Sequence, residues 1–308
     1  MSEQRKMVAE KVKKTLAEDE PNANHSLRKI AKRESISRST AQRILRKDLG
    51  VKSVRKIKGQ RLSQKRKVSR LARCIKIKEL INRKKGAGKI NSNNLFFSDE
   101  KIFRILETSG GTQNNRLWIP GDMLKCEMPA RVLILECETH APGVMVGLSV
   151  GKKGVTRPVF IDKGCKMNSD VYVNQVLKGG YFPEISAIAG KDWSFQQDGA
   201  PSHRSKQTFS YLRNNTPAFI GEWPPKSPDL NPLDYSIWSI LAQDVNSQNP
   251  EDYNDLRACI TRTVKKLGQE TASKACGEFA MRIDLCISER GGHFEHLLKA
   301  EKRKKAKK

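Results

Sequence analysis

The chain has 308 residues, of which 37% are hydrophobic and 30% charged, a balance that suits a folded protein with a sizeable core. No window of 18 or more apolar residues exists, which excludes a membrane-spanning helix. The formal net charge of +26 sits at the two ends: residues 1–90 hold 29 Lys and Arg against 8 Asp and Glu, residues 299–308 hold 7 against 1, and the middle is close to neutral.

Basic ends around a neutral middle suit a polyanion, above all nucleic acid, with binding that weakens in salt through counterion release. The first residues carry charges with no apolar stretch after them, so no secretory signal is expected. Seven scattered cysteines, an odd number without Cys-x-x-Cys spacing, predict reduced and mostly buried thiols rather than a disulfide framework or structural zinc.

In chain order, Val8, Val12 and Leu16 recur at helical spacing and predict a basic helix over 3–19, ended by Pro21. Ser26 reads as an N-cap for a second helix with Leu27, Ile30 and Ala31 on one face. The short break Ser35-Ile36-Ser37 precedes a third, in which Ala41, Ile44 and Leu45 face inward. Arg38, Ser39, Gln42, Arg43 and Arg46 are left on the outer face. Two short helices joined by a tight turn, the second with such a face, make a helix-turn-helix whose outer residues suit phosphates and base edges. The break lacks the glycine common in such turns.

Residues 51–70 read as a basic arm in which Arg55, Lys56, Lys58 and Arg61 lie along a DNA backbone or enter a minor groove, with a nuclear-import tag as the competing and compatible reading. A charged helix over about 64–85 follows. From Ile90 the pattern changes to strands at 95–99, with 101–106 as its continuation or partner, and at 131–135, 143–150, 157–161 and 193–197. Helices are expected at 168–179, 202–214, 233–246, 251–267 and, interrupted by Gly291-Gly292, 270–298. Antiparallel strands followed by helices and further strands predict an α/β mixed sheet flanked by helices. The predicted organisation is a helix-turn-helix domain at 1–50, a basic linker and charged helix at 51–90, a catalytic domain at 91–298 and a basic disordered tail at 299–308.

Three aspartates stand in the most distinctive local sequences. Asp99 and Asp198 each end an aromatic-rich run, reading as buried strands that deliver a carboxylate to a sheet edge. Asp234 opens a helix after the proline-rich run Trp223–Leu233. Three convergent carboxylates suit two divalent ions, since Mg²⁺ takes oxygen ligands and keeps positions free for water or phosphate. Glu100 competes with Asp99 for that role, and Asp229 competes with Asp234, although Ser227-Pro228-Asp229 reads as turn chemistry. His203 either approaches phosphate or caps a helix.

At Phe96-Phe97-Ser98-Asp99-Glu100, at Gln196-Gln197-Asp198-Gly199-Ala200-Pro201-Ser202-His203 and at Trp223–Tyr235, the sequence resembles the mariner superfamily of DNA transposases. The resemblance implies a ribonuclease H-like, retroviral-integrase-like catalytic fold behind a small all-α helix-turn-helix domain. It implies Asp99, Asp198 and Asp234 as the catalytic and metal-binding triad, with two Mg²⁺ (or Mn²⁺) ions. It further implies cut-and-paste transposition of double-stranded DNA from terminal inverted repeats into a TA target, a homodimer that pairs the two ends, and work in the nucleus. Two departures stand out: one helix-turn-helix where family members carry two, and Val144-Met145-Val146-Gly147 without the family's tryptophan. The alternative is an idle or domesticated, transposase-derived protein that binds specific DNA through residues 26–61 without mobilising it.

Overall fold

A computed structural model describes residues 3–17, 26–51, 59–83, 86, 88–105, 142–162, 164–298 and 301. The strand expected at 131–135, the basic residues Arg55, Lys56 and Lys58, and all of the lysine-rich tail except Glu301 lie outside the described residues. The chain divides into two compact units, Met1–Gly59 and Gln60–Lys308.

The first unit is built from α1 (Glu3–Ala17), α2 (Leu27–Arg33) and α3 (Arg38–Arg43), the last running on as a π-helical turn over Ile44–Asp48. Ser26 and Ser37 cap α2 and α3, each accepting a backbone N–H three residues on. Ser35 in the turn adopts φ +52°, so a serine takes the left-handed conformation that a glycine commonly supplies there. Ala9 and Val12 of α1 close one core with Ile30, Ala31, Ala41 and Ile44. The basic first helix is therefore part of this small fold, supplying apolar surface that the short α2 and α3 alone would leave open.

The second unit is a three-layer sandwich around one sheet. It begins with α4 (Gln64–Asn82), then β1 (Leu95–Arg104), β2 (Gly143–Gly151), β3 (Gly154–Val155) and β4 (Val159–Ile161). A helical stretch follows, from Ser169–Val171 through a π-helical segment Tyr172–Tyr181 into α5 (Phe182–Ala189). Then come β5 (Ser194–Gln196), α6 (Lys206–Asn215) and β6 (Ala218–Ile220). A π-helical turn Leu233–Ile237 leads into α7 (Trp238–Ser247), followed by α8 (Tyr253–Lys266), α9 (Gln269–Gly277) and α10 (Phe279–Ser288).

The sheet order is β3-β2-β1-β5-β6, with β4 also on β2; β1 and β2 are antiparallel, whereas β5 and β6 run parallel to β1. This is the ribonuclease H-like arrangement. The period-2 alternation of β1 sorts its side chains: Leu95 and Phe97 enter the core shared with α4 and α7–α10, and Phe96 the core shared with α5 and α6. Each such phenylalanine, fully removed from water, contributes about 1.5–3 kcal/mol.

Two sequence readings change. The stretch 101–106, a continuation or a partner of 95–99 by sequence, continues it as one strand, so Asp99 lies mid-strand in the centre of the sheet and not at an edge. The charged helix grouped with a linker is α4, and its Cys74 and Ile77 belong to the core of the second unit.

Candidate active site

Register places the first two carboxylates. In the parallel pair, Phe97 lies opposite Gln196, so Asp99 and Asp198, each two residues further on, emerge side by side where β5 stops. The third arrives through Asn231, which donates from Nδ2 to the Ser98 carbonyl (3.1 Å) and accepts the Leu233 N–H on Oδ1 (3.1 Å). One amide thus ties β1 to the first turn of the helix that carries Asp234. The three aspartates line one open cleft of about 890 Å³, together with Glu100, Arg204, Lys226 and the aromatic wall at Trp223.

The three carboxylates lie close enough for their charges to act on one another. Burial, and then the negative charge of Asp198, push the Asp99 carboxyl up to about 6. Asp234 is exposed to the cleft, yet loss of water around its carboxyl, then the charges of Asp99 and Asp198, push it up to about 7. Asp198 goes the other way. Burial works to raise it, but the bond and charge of His203 outweigh this and hold it below the usual range. Mutual repulsion among clustered carboxylates is relieved by a proton or by a cation.

Two oxygens of the triad are held by neighbours. Trp238 donates its indole N–H to Asp99 Oδ2 at 2.7 Å, and His203 Nδ1 lies 2.7 Å from Asp198 Oδ1. The Ala200 N–H also donates to that same oxygen, at 2.9 Å. The all-oxygen donor set with repelling charges fits hard divalent cations. As placed, no three His, Cys, Asp or Glu side chains among the described residues already stand in ligating positions.

Glu100 points away from its neighbour Asp99, as strand alternation requires. Its carboxylate is 13% exposed, 3.5 Å from His203 Nε2, and within 3.4 Å of the Tyr181 hydroxyl, which donates to it. Burial pushes it up to about 7 despite the nearby imidazole. Gly147, its partner on β2, leaves the room that Tyr181 occupies: a Cβ there would lie 2.6 Å from the hydroxyl oxygen.

The Asp229 carboxylate does not cap the turn, as its sequence context suggested, but turns to α4. It forms a bidentate pair with Arg70 of α4, at 3.0 and 2.7 Å, both side chains buried. Arg70 also donates to the carbonyls of Lys226 and Gly291 and to Ser227 Oγ. Gly291, at φ +78°, brings its backbone against that of Lys67, where a Cβ would collide. Arg282 adds a bond to the Asp229 carbonyl and covers the Tyr235 ring at 3.5 Å. The proline-rich run is therefore bolted to α4 and α10 from behind, while Trp223 stacks on Phe279.

In the first unit, Arg38, Ser39, Gln42, Arg43 and Arg46 are all exposed along α3 and its π-helical continuation. Arg61 is exposed just ahead of α4.

Trp238 and Arg70 were not singled out by the sequence reading. Trp238 follows Asp234 by four residues, and that helical spacing is a usable signal. Arg70 has none, because its partner is 159 residues away.

No family model matches the chain. Among curated proteins it is 27% identical to the Tcb1 transposable-element transposase of Caenorhabditis briggsae over 123 residues, and 30% identical to the Tcb2 transposase of the same species over 88. These matches take in 40% and 29% of the chain, and the chain spans 44% and 31% of the two relatives. Among solved structures, the Mos1 transposase paired-end complex with the left transposon end has a TM-score of 0.74 at 16% identity, covering 93% of this chain and 80% of that one. The catalytic domain of Mos1 mariner transposase gives 0.56 at 15% identity, covering 78% of this chain and all of the domain. In both sequence and fold, then, the chain resembles the mariner-superfamily transposases, with a helical amino-terminal unit ahead of a ribonuclease H-like one.

Proposed function

We propose that the chain is a DNA transposase that binds terminal inverted repeats through its first unit and carries out divalent-metal-dependent cleavage and strand transfer at Asp99, Asp198 and Asp234. The observation that carries this reading is the meeting, in one cleft, of three carboxylates whose charges act on one another. Asp99 stands between the other two: its strand pairs with β5, which leads to Asp198, and it accepts a bond from Trp238 on the helix that follows Asp234. The free oxygens of the triad would hold two Mg²⁺ or Mn²⁺ ions, which, when bound, relieve charge on the scissile phosphate and ease deprotonation of the attacking oxygen.

The protein's own part is positioning. Asn231 fixes the distance between strand and helix, and Trp238 and His203 each take one carboxylate oxygen, leaving the other available. Arg204 and Lys226 on the cleft wall offer positive charge to a phosphate backbone. Water as the attacking group frees a 3′-hydroxyl, and that hydroxyl can then attack target DNA in the same cleft, at a TA step by analogy with the superfamily. Two transposon ends call for two copies of the chain, and a DNA substrate of this kind puts the work in the nucleus.

The test is nicking of duplex DNA carrying the inverted repeats that flank the gene, in Mg²⁺ or Mn²⁺. Asp99→Asn, Asp198→Asn and Asp234→Asn should each abolish nicking while gel-shift affinity for the repeat is unchanged. Normal cutting by any one of them removes that residue from the site.

A further inference from the structure

We propose that His203 is a positioning residue for Asp198: it holds Oδ1 so that Oδ2 is the oxygen presented to a divalent cation. The inference rests on the reading of Asp198 as a carboxylate of a cation site, and it assigns a role to a residue that the reaction scheme itself does not require.

The imidazole is 2% exposed, although it belongs to a loop on the rim of an open cleft. Three groups surround the ring, and both buried ring nitrogens meet carboxylate oxygens at ion-pair distance without the alignment of a full hydrogen bond. Its Nδ1 lies 2.7 Å from Asp198 Oδ1, its Nε2 lies 3.5 Å from Glu100 Oε2, and its face stacks on Tyr172 at 3.9 Å with the planes 27° apart. Tyr172 in turn donates to Gln197 Oε1 (2.9 Å), and Gln197 donates from Nε2 to the His203 backbone carbonyl (2.7 Å). Gln197 is the residue immediately before Asp198, so the loop closes on itself through its own side chains.

The consequence falls on one oxygen. Asp198 Oδ1 is approached by both the imidazole and the Ala200 N–H, whereas no hydrogen bond within the described residues engages Oδ2. A carboxylate so held cannot swing both oxygens freely, and its rotamer is set before any ligand arrives. Groups that orient a ligating carboxylate in this way commonly change metal affinity by about 10- to 100-fold when removed. Glu100 lies 3.5 Å from Nε2, at the edge of the imidazole that faces away from Asp198.

Two amide substitutions separate positioning from mere packing. The amide nitrogen of His203→Asn can take the place of Nδ1, keeping the donor to Asp198 and losing the reach to Glu100. That of His203→Gln takes the place of Nε2 and does the reverse. The full-length protein is titrated with Mn²⁺ alone, following the electron paramagnetic resonance signal of the free ion, and metal-free melting is recorded for each variant.

His203→Gln is expected to bind Mn²⁺ about 10-fold more weakly or worse, and His203→Asn to stay within about threefold of the parent. Equal binding by the two variants overturns the proposal, as does loss of cooperative melting in both, which would make His203 a folding residue only. Asp198→Asn is the control for the underlying reading. If it binds Mn²⁺ as well as the parent, the cation site itself is misassigned. If it loses binding while His203→Gln does not, only the role of His203 fails.

Discussion

Trp238 donates its indole N–H to Asp99 Oδ2 at 2.7 Å, so the helix that carries one cleft carboxylate also orients another. Asp234 and Trp238 are four residues apart across the junction of a π-helical turn with α7, which turns both toward β1. Trp238 further packs edge-on against Phe103, a second strand residue on the same face. Substitution by phenylalanine keeps the ring and removes only the donor. Trp238→Phe is therefore expected to lower metal-dependent nicking about 10- to 100-fold while moving the melting temperature by no more than about 4 °C. Unchanged nicking would show that the bond does not orient Asp99.

The Arg70–Asp229 pair is predicted to matter for stability rather than chemistry. Its members are 1% and 8% exposed, and Arg70 makes further bonds to the turn between Lys226 and Ser227. Arg70→Met fills similar volume but strands Asp229 in the interior, which costs about 3–5 kcal/mol. Urea unfolding of the full chain should show the loss as a lower midpoint with a similar slope. A change below about 1 kcal/mol would mean that water reaches the carboxylate and the pair is not buried in solution.

The cleft should make stability depend on pH in a definite direction. Asp99 is pushed up to about 6, and Glu100 and Asp234 to about 7, by loss of water around the carboxyl first and by like-charged neighbours as well. A carboxyl that binds its proton more tightly folded than unfolded stabilises the fold as pH falls through those values, and destabilises it when ionised. His203, raised by Asp198 and Glu100 against the effect of burial, acts in the same sense above its ordinary value. Asp198, held low, opposes only in stronger acid. In EDTA, melting temperature should therefore rise from pH 8 to pH 5.5, and rise less in Asp234→Asn. Added Mn²⁺ should stabilise more at pH 8 than at pH 5.5. Identical pH profiles for parent and Asp234→Asn would remove Asp234 from the coupled set.

How much of this was legible beforehand follows from the range of the interactions. Periodicity gave the helices of the first unit and the strand-then-helix order of the second, because those patterns are local. The three aspartates stood out by motif. Their convergence depends on register, however, and on Asn231 reaching Ser98 across 133 residues, which no local pattern encodes. Whether 101–106 continued the strand at 95–99 or paired with it stayed open in the sequence, because the polar triplet Ser98-Asp99-Glu100 interrupts the apolar pattern, and the structure shows one continuous strand. The strand β6 was missed altogether: three residues, Ala218–Ile220, are too few to show alternation. Ser35 explains why the turn lacked its glycine, since a serine at φ +52° gives the same path at some cost.

The outer face of α3 can be tested without knowing the recognised sequence. Arg38, Arg43 and Arg46 are exposed on one short helix and its continuation, with Ser39 and Gln42 between them. Contacts from such arginines to phosphates release counterions, so binding to any duplex falls with salt at a slope set by the number of contacts. Arg43→Ala should reduce the slope of log affinity against log salt by about 0.9 if the residue touches one phosphate. Gln42→Ala should leave the slope on random DNA unchanged and weaken only binding to the inverted repeat, since an amide reads base edges and carries no charge. Fluorescence anisotropy over a salt series with both duplexes measures the two effects together. A slope unchanged by Arg43→Ala, with repeat binding also intact, would move the DNA interface off α3.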